Sequence, residues 1–386
     1  MPIHTKDILI KAKKSVLIKI TAKKEKTVRR MDLATSGQLM WWKFKKHRLA
    51  MIGSTILGIF LLISIFAEFI ATTGPQERDS QYAEGAPTVI RIISRDGLHF
   101  PFVYEVRKGR DPETLRSMSI MNKDVRWSVK LFVPGEPYRL FGFIKSDIHL
   151  FGVSKGFIHI FGTDKIGRDI FSRVIYATRI SLSVGIFGVL VAFLLGLLMG
   201  GIAGYYGGTA DSIIMRSIEF IKSIPELPLW LGLAAALPKD WTALKVYVVI
   251  TLILAGVGWT GLARRVRSKL VSLRNVDFVV AARLDGCSSY RIVSKHMLPS
   301  FMSYLIVDLT VAFPTIILAE TTLSFLGLGL REPIVSWGVL LYSAQNIRSI
   351  AHMPWLLIPG LFVVIAVIAF NFLGDGLRDA ADPFSK

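Results

Sequence analysis

The apolar residues of this chain fall into runs whose length, more than their period, constrains the fold. Residues 49–70, 180–203, 246–263, 299–325 and 354–373 are each apolar over roughly the 20 residues a helix needs to cross a bilayer core. A sixth run, 224–237, is shorter and punctuated by Pro225 and Pro228. Inside hydrocarbon no water reaches backbone N–H and C=O groups, so a crossing segment has to satisfy them itself, as a helix does. The expectation is an all-α integral membrane protein with about six transmembrane helices.

Hydrophobic residues make up 52% of the 386, above the usual share of water-soluble domains. The net charge of +19 raises the question of a nucleic-acid partner. The basic residues, however, lie in a tail, in loops beside apolar runs and in one polar insert, without a nucleic-acid-binding motif, so no such partner is expected. Residues 1–48 form the basic tail, with Asp7, Glu25 and Asp32 as its acids, and Arg264, Arg265 and Arg267 follow the fourth run. Positive charge is retained on the cytoplasmic side, which places the tail, the stretch after residue 264 and both termini there. Lysine-interleaved Ile8 to Ile10 and Val16 to Ile18 suit either an anionic membrane surface or a disordered tail. Arg29-Arg30 is not read as a cleaved twin-arginine signal, because the apolar run begins about twenty residues later without a small-residue cleavage site. A single cysteine, Cys287, excludes an internal disulfide.

After the first span, 49–71, the chain is polar through residue 160. Strand-like alternation at Phe100, Phe102 and Tyr104 and at Trp127, Val129, Leu131 and Val133, a helix-start signal at Asp111-Pro112-Glu113, and a turn at Pro134 to Pro137 predict a small mixed α/β domain outside the membrane over 72–160. The membrane core then occupies 161–386. It opens with FGTDKIGRDIFSRVIYATRISL, where Thr163 or Asp164 is expected to cap an interfacial helix with Ile166, Ile170 and Val174 on its apolar face and Arg168, Arg173 and Arg179 kept polar. Asp164 and Asp169 lack a third ligand and stand beside arginine, so no metal site is expected. The second span ends in a glycine-rich interfacial turn, Gly204-Tyr205-Tyr206-Gly207-Gly208, followed by Asp211. No phosphate-loop sequence is present, so ATP hydrolysis by that route is not a property of this chain.

Residues 277–299, DFVVAARLDGCSSYRIVSKHMLP, read as helix, turn, helix between two apolar runs. Ala281, Ala282 and Leu284 belong to the first helix, Gly286 gives the turn its backbone freedom, and Ser288 or Ser289 caps the second helix. Tyr290, Val293 and Met297 are expected on one apolar face, with Arg291 and Lys295 on another. Leu298-Pro299 ends the element, and Pro299 opens the next span at its first turn.

The A-A-x3-G followed by x-L-P in this stretch resembles the loop through which ABC importer permeases dock on their ATPase, although the acidic and apolar positions usual in that loop are here Val280 and Asp285. Four further strings, in the same order as in that family, point the same way. G-T-D-x-x-G-R-D-x-x-S-R, carrying Gly162, Asp164, Gly167, Arg168 and Asp169, resembles the start of the permease core in the C-type subunit of dipeptide/oligopeptide permeases. A-G-Y-Y-G-G-x-x-D, carrying Gly204, Gly207 and Asp211, resembles the end of its second span. Glu320 to Gly329, and Phe370 to Asp379 with Asn371, Gly374 and Asp375 ahead of Asp382-Pro383, resemble its later spans. The resemblance covers roughly 161–383. It implies the ABC importer permease fold, with the 72–160 insert periplasmic, in a bacterial inner-membrane subunit that is not an enzyme. Its implied partners are a B-type sister permease in a heterodimer, two ABC ATPase subunits and a periplasmic solute-binding protein. It also implies that this chain binds no cofactor and that ATP and Mg belong to the ATPases.

Two acids inside the 299–325 run are candidates for the translocation pathway. Asp308 lies about 13 Å from the inner surface when counted from Pro299, and Glu320 is expected near the outer boundary within reach of water. Asp308 is read as lining the pathway, as contacting the sister permease, or as an interhelical hydrogen-bonding group without a cargo role. An ion-coupled secondary transporter is the rival class, but it gives the polar 277–299 loop no task. A hydrolase has no nucleophile motif with a positioned base in a span. Within the ABC reading, oligosaccharide or nickel is the alternative cargo to peptide.

Overall fold

The computed structural model describes residues 35–94, 97–110, 117–153 and 156–381. The tail before residue 35, the helix signal at 111–113 and the motif end at 382–383 lie outside the described residues. Five helices among the described residues are long and apolar enough to cross a bilayer: Arg48–Ile65, Ile170–Tyr206, Ala243–Leu273, Met302–Phe325 and Pro354–Ala381. They are called the first to fifth long helices below. The sixth apolar run forms only the ten-residue helix Glu226–Ala235, separated at Pro225 from a preceding amphipathic helix, Gly208–Ser223. At 1.5 Å per residue that short helix reaches about 15 Å, half of a bilayer core.

Close packing of the bundle rests on small residues. A Cβ on Gly196 would stand 2.8 Å from the Leu262 side chain, one on Gly200 2.6 Å from the Ala263 carbonyl oxygen, and one on Gly204 2.7 Å from Leu270. This i, i+4, i+8 stripe lets two backbones approach as small-residue motifs do in membranes. The partner numbers rise with the glycine numbers, so the second and third long helices are parallel and end on the same side. The fifth long helix runs antiparallel to the first, with Gly53 against the Ala369 carbonyl and Gly376 against Ala50, and its Gly374 meets Thr310 and Val311 of the fourth. Phe60, Val174, Ile317, Trp337, Val363 and Phe370 form one core between these helices; Val184, Leu254, Ile316 and Leu323 belong to a second.

The predicted interfacial helix over 161–182 is not formed as such. The helix begins at Ile170 with Asp169 as its N-cap, accepting the Ser172 N–H at 2.7 Å, and continues unbroken for 37 residues to Tyr206. Thr163 and Asp164 cap nothing there, because Gly162 and Gly167 turn the chain at φ 73° and 85° and Thr163 is spent on Tyr82 and Gly85. The helix is about 55 Å long, so it outruns a bilayer core by several turns.

The insert is an antiparallel meander of β1 (Arg91–Ser94), β2 (Gly97–Arg110), β3 (Ser117–Leu140) and β4 (Ile144–Val153), in that spatial order. Among its described residues the helical content is one 3-10 turn, Ser80–Tyr82, in place of the α/β mixture expected. The predicted alternation does not sort β2 by face. Phe100 is 87% exposed and Phe102 only 3%, while the neighbouring Val103 is also buried. Phe102 is covered by Tyr104 and Arg126, whereas Val103 enters a small cluster with Val153 and Ile158, so both sides of this strand have cover. The sheet is fixed to the bundle through His149, whose Nδ1 lies 2.6 Å from the Ala71 carbonyl oxygen, and through rings of Phe151 and Phe171 5.6 Å apart.

Candidate functional site

At the sheet end of the bundle the GTDxxGRD string closes into a buried ionic cluster. The Asp164 carboxylate accepts the backbone N–H groups of Ile166 (3.0 Å) and Arg168 (2.9 Å), Arg168 Nε (2.7 Å) and Arg173 Nη1 (2.9 Å). Both arginines also donate to Glu332 at 2.7 Å. Burial alone raises the Glu332 carboxyl, but the two guanidinium groups outweigh it and hold it down at about 2. Arg168 and Arg173 are therefore buried partners, where the sequence pattern placed them on a polar helix face. Two cations and two carboxylates balance, which is the condition under which charges tolerate burial. Arg168 also reaches Gln76, and Gln76 donates to the Pro333 carbonyl at 2.9 Å. The cluster thus clamps together the chain after the first long helix, the start of the second and the segment after the fourth. Asp169 accepts from Ser172 and faces His159 Nδ1 at 3.0 Å, so its oxygens and those of Asp164 are already met by donors.

At the other end, the 277–299 loop is seated by its inner residues. Helix Asp277–Leu284 buries Val279 and Ala282, and the following stretch buries Ile292 and Met297, against Val266, Leu270 and Leu305. Gly286 makes the turn at φ 73° as expected. Val293 packs beside these anchors while Ala281 is exposed, and Tyr290 does not share a face with Met297. It is 82% exposed, as is Leu284 at 83%. The physical reason is that Ile292–Met297 is wound as a π-helix, which adds a residue per turn and breaks the 3.6 period. Pro299 lies within a three-residue helix, Leu298–Ser300, and Phe301 (φ −128°, ψ 24°) interrupts the chain before the fourth long helix begins at Met302. Beside this loop, Asp211 is paired with Arg267, and Arg274 donates to the Gly204 carbonyl at 2.7 Å next to the Gly207 turn. On the fifth long helix Gly374 is buried, while Asn371 and Asp375 face outward.

Between these ends lies a cavity of about 300 Å³ lined by the second, third and fourth long helices and by helix Glu226–Ala235. Asp308 lines it and accepts from Arg265 Nη2 at 2.7 Å; Lys222 and Glu226 form a second pair at 3.3 Å. Counted from Met302, Asp308 is about 9 Å along its helix, shallower than the count from Pro299 gave. Glu320 does not join it. Far from reaching water, Glu320 is fully buried and accepts hydroxyls from Ser324 (2.8 Å) and Ser336 (2.6 Å). Arg265 carries the pairing in the cavity and Glu332 that at the sheet end, and neither has a local signal in the sequence beyond a basic cluster and a loop.

Residues 167–386 match the family described as binding-protein-dependent transport system inner membrane component, and residues 35–87 match the N-terminal TM domain of oligopeptide transport permease C. The dipeptide transport system permease protein DppC of Bacillus subtilis (strain 168) is 40% identical over 220 residues, 57% of this chain and 67% of that one. The oligopeptide transport system permease protein OppC of the same strain is 37% identical over 221 residues, 57% and 70% of the two chains. The DppC of Haemophilus influenzae (strain ATCC 51907 / DSM 11121 / KW20 / Rd) is 31% identical over 353 residues, 91% and 96% of the two chains, so that likeness takes in most of the insert as well. The chain belongs to the binding-protein-dependent transport system inner membrane components, as a C-type subunit of their dipeptide/oligopeptide permeases.

Proposed function

We propose that this chain forms half of the translocation pathway of an ATP-driven importer for peptides, lying in the bacterial inner membrane beside a B-type sister permease. Two ATPase subunits, which hold ATP and Mg, engage the 277–299 loop, and a periplasmic binding protein delivers the cargo. The observation that carries this reading is the loop. Its inner side is anchored in the bundle, while its outer side holds Leu284 and Tyr290 out to solvent with no cover from the described residues. Two states of the permease, outward and inward, would then be biased by nucleotide at the loop and by the loaded receptor at the opposite end.

Six crossings are part of the same proposal. The parallel second and third long helices both end on the loop side, so the chain between them has to return, and residues 208–235 supply that crossing in two pieces joined at Pro225. The sheet is then periplasmic, with the loop and both termini cytoplasmic. The ion-coupled alternative is not favoured: the acid it would use, Asp308, is neutralised by Arg265. Copurification tests the reading. Tyr290→Asp, at an exposed site, is expected to leave membrane insertion and yield unchanged and to lose the ATPase subunits. Retention of the ATPases, with uptake at the normal rate, overturns the docking assignment.

A further inference from the structure

The cavity beside Asp308 has more chemistry than a passage needs. Its walls are mostly small or apolar, including Gly258, Gly261, Ala312 and Ile316, yet two opposite-charge pairs border it. The Arg265 side chain is 45% exposed and that of Asp308 17%, and both line the cavity. Trp230 also lines the space, and its buried indole N–H has no acceptor among the described residues. The volume, about 300 Å³, is at the lower end of small-molecule sites, roughly 300–1,000 Å³. From the level of Asp308 to that of Ala319 the wall is about 16 Å long, room for roughly four extended residues at about 3.5 Å each.

We propose that this cavity is a resting site for a zwitterionic solute with free ends, a short peptide above all, whose carboxylate takes Arg265 and whose ammonium takes Asp308 in exchange for the pair these two make with each other. The inference rests on the importer reading and adds which residues sort the cargo. Charges inside a membrane protein persist where each has a partner. A zwitterion keeps both protein charges paired when it opens the Arg265–Asp308 bridge. A solute with one charge leaves one protein charge bare, and a solute with none gains nothing by opening the bridge. The indole N–H of Trp230 is a donor suited to a peptide carbonyl or carboxylate oxygen. Because the bridge joins the third and fourth long helices, the exchange also loosens the contact between them as cargo arrives.

The test uses the complete importer, with its ATPases and binding protein, in proteoliposomes, and measures ATP-driven uptake of dialanine, N-acetyl-dialanine and dialanine amide at equal receptor occupancy. The wild-type complex is expected to carry dialanine at least about tenfold faster than either blocked form. Asp308→Asn is expected to abolish the preference over the N-acetyl form while preserving that over the amide, and Arg265→Gln the reverse. Asp308→Glu and Arg265→Lys should preserve both preferences, which separates charge recognition from loss of folding. If the single variants slow all three solutes by one common factor, or if the wild type does not distinguish them, the cargo assignment is overturned while the importer reading stands. Absence of ATP-driven uptake by the wild-type complex overturns both.

Discussion

Glu77 and Glu332 are both half-buried acids outside the spans, and their surroundings push them in opposite directions. Burial and the neighbouring Glu136 carboxyl raise Glu77 to about 7. Its folded form therefore holds a proton that the unfolded chain, at about 4.3, has lost, so its stabilising contribution is full below that value and disappears as pH rises toward 7. Glu77→Gln is expected to raise the melting temperature in detergent at pH 8 and to change it little at pH 4. A Gln variant no more stable than wild type at pH 8 would remove the argument. Glu332, held at about 2 by Arg168 and Arg173, has the opposite sign: its contribution is present above about 4.3 and lost as pH falls toward 2. Glu332→Gln should cost about 1–2 kcal/mol at pH 7, a figure discounted because the carboxylate is partly exposed. The gap to wild type should close below pH 4 in a thermal shift series. Asp164 and Arg168 were legible as a motif, but Glu332 was not, since 164 positions separate it from Arg168 and nothing local marks the pairing. Arg265 was visible only as one of several arginines, because what distinguishes it is the helix opposite.

The long helices were legible because a bilayer sets their length; their ends were not, because caps and turns set those locally. Asp169 takes the cap expected of Thr163 or Asp164, Phe301 delays the fourth long helix past Pro299, and π winding turns Tyr290 away from Met297. The glycine stripe of the second long helix offers a controlled test at this scale. A Cβ at Gly200 would stand 2.6 Å from the Ala263 carbonyl oxygen, a backbone atom that yields only if the helix does, whereas a Cβ at Gly201 meets nothing within 4 Å. Gly200→Val is expected to separate the second and third long helices, costing about 1–3 kcal/mol by overpacking, and to lower the yield of assembled complex. Gly201→Val, with the same β-branched side chain one position along, should assemble normally unless the sister permease packs on that side. Equal behaviour of the two variants would show that helix propensity, and not the close approach, decides the outcome.

For the whole molecule, the decisive question is one of parity. The sheet follows the first long helix and the 277–299 loop follows the third. If residues 208–235 did not cross, the five long helices alone would put the sheet and the loop on the same side of the membrane. With that crossing they lie on opposite sides, as the parallel second and third helices require. Two thiols read this directly. Cys287 sits at the turn of the loop and is partly exposed, and Ser128 is an exposed position on β3. In intact spheroplasts a membrane-impermeant maleimide is expected to label Ser128→Cys in a Cys287→Ser background and to miss Cys287 in the wild-type chain. After lysis Cys287 should label, and on the proposed docking it labels faster when the ATPase subunits are absent. Labelling of both positions in intact spheroplasts would mean five crossings, with residues 208–235 lying along the surface. Labelling of Cys287 alone would invert the protein and separate the loop from any cytoplasmic ATPase.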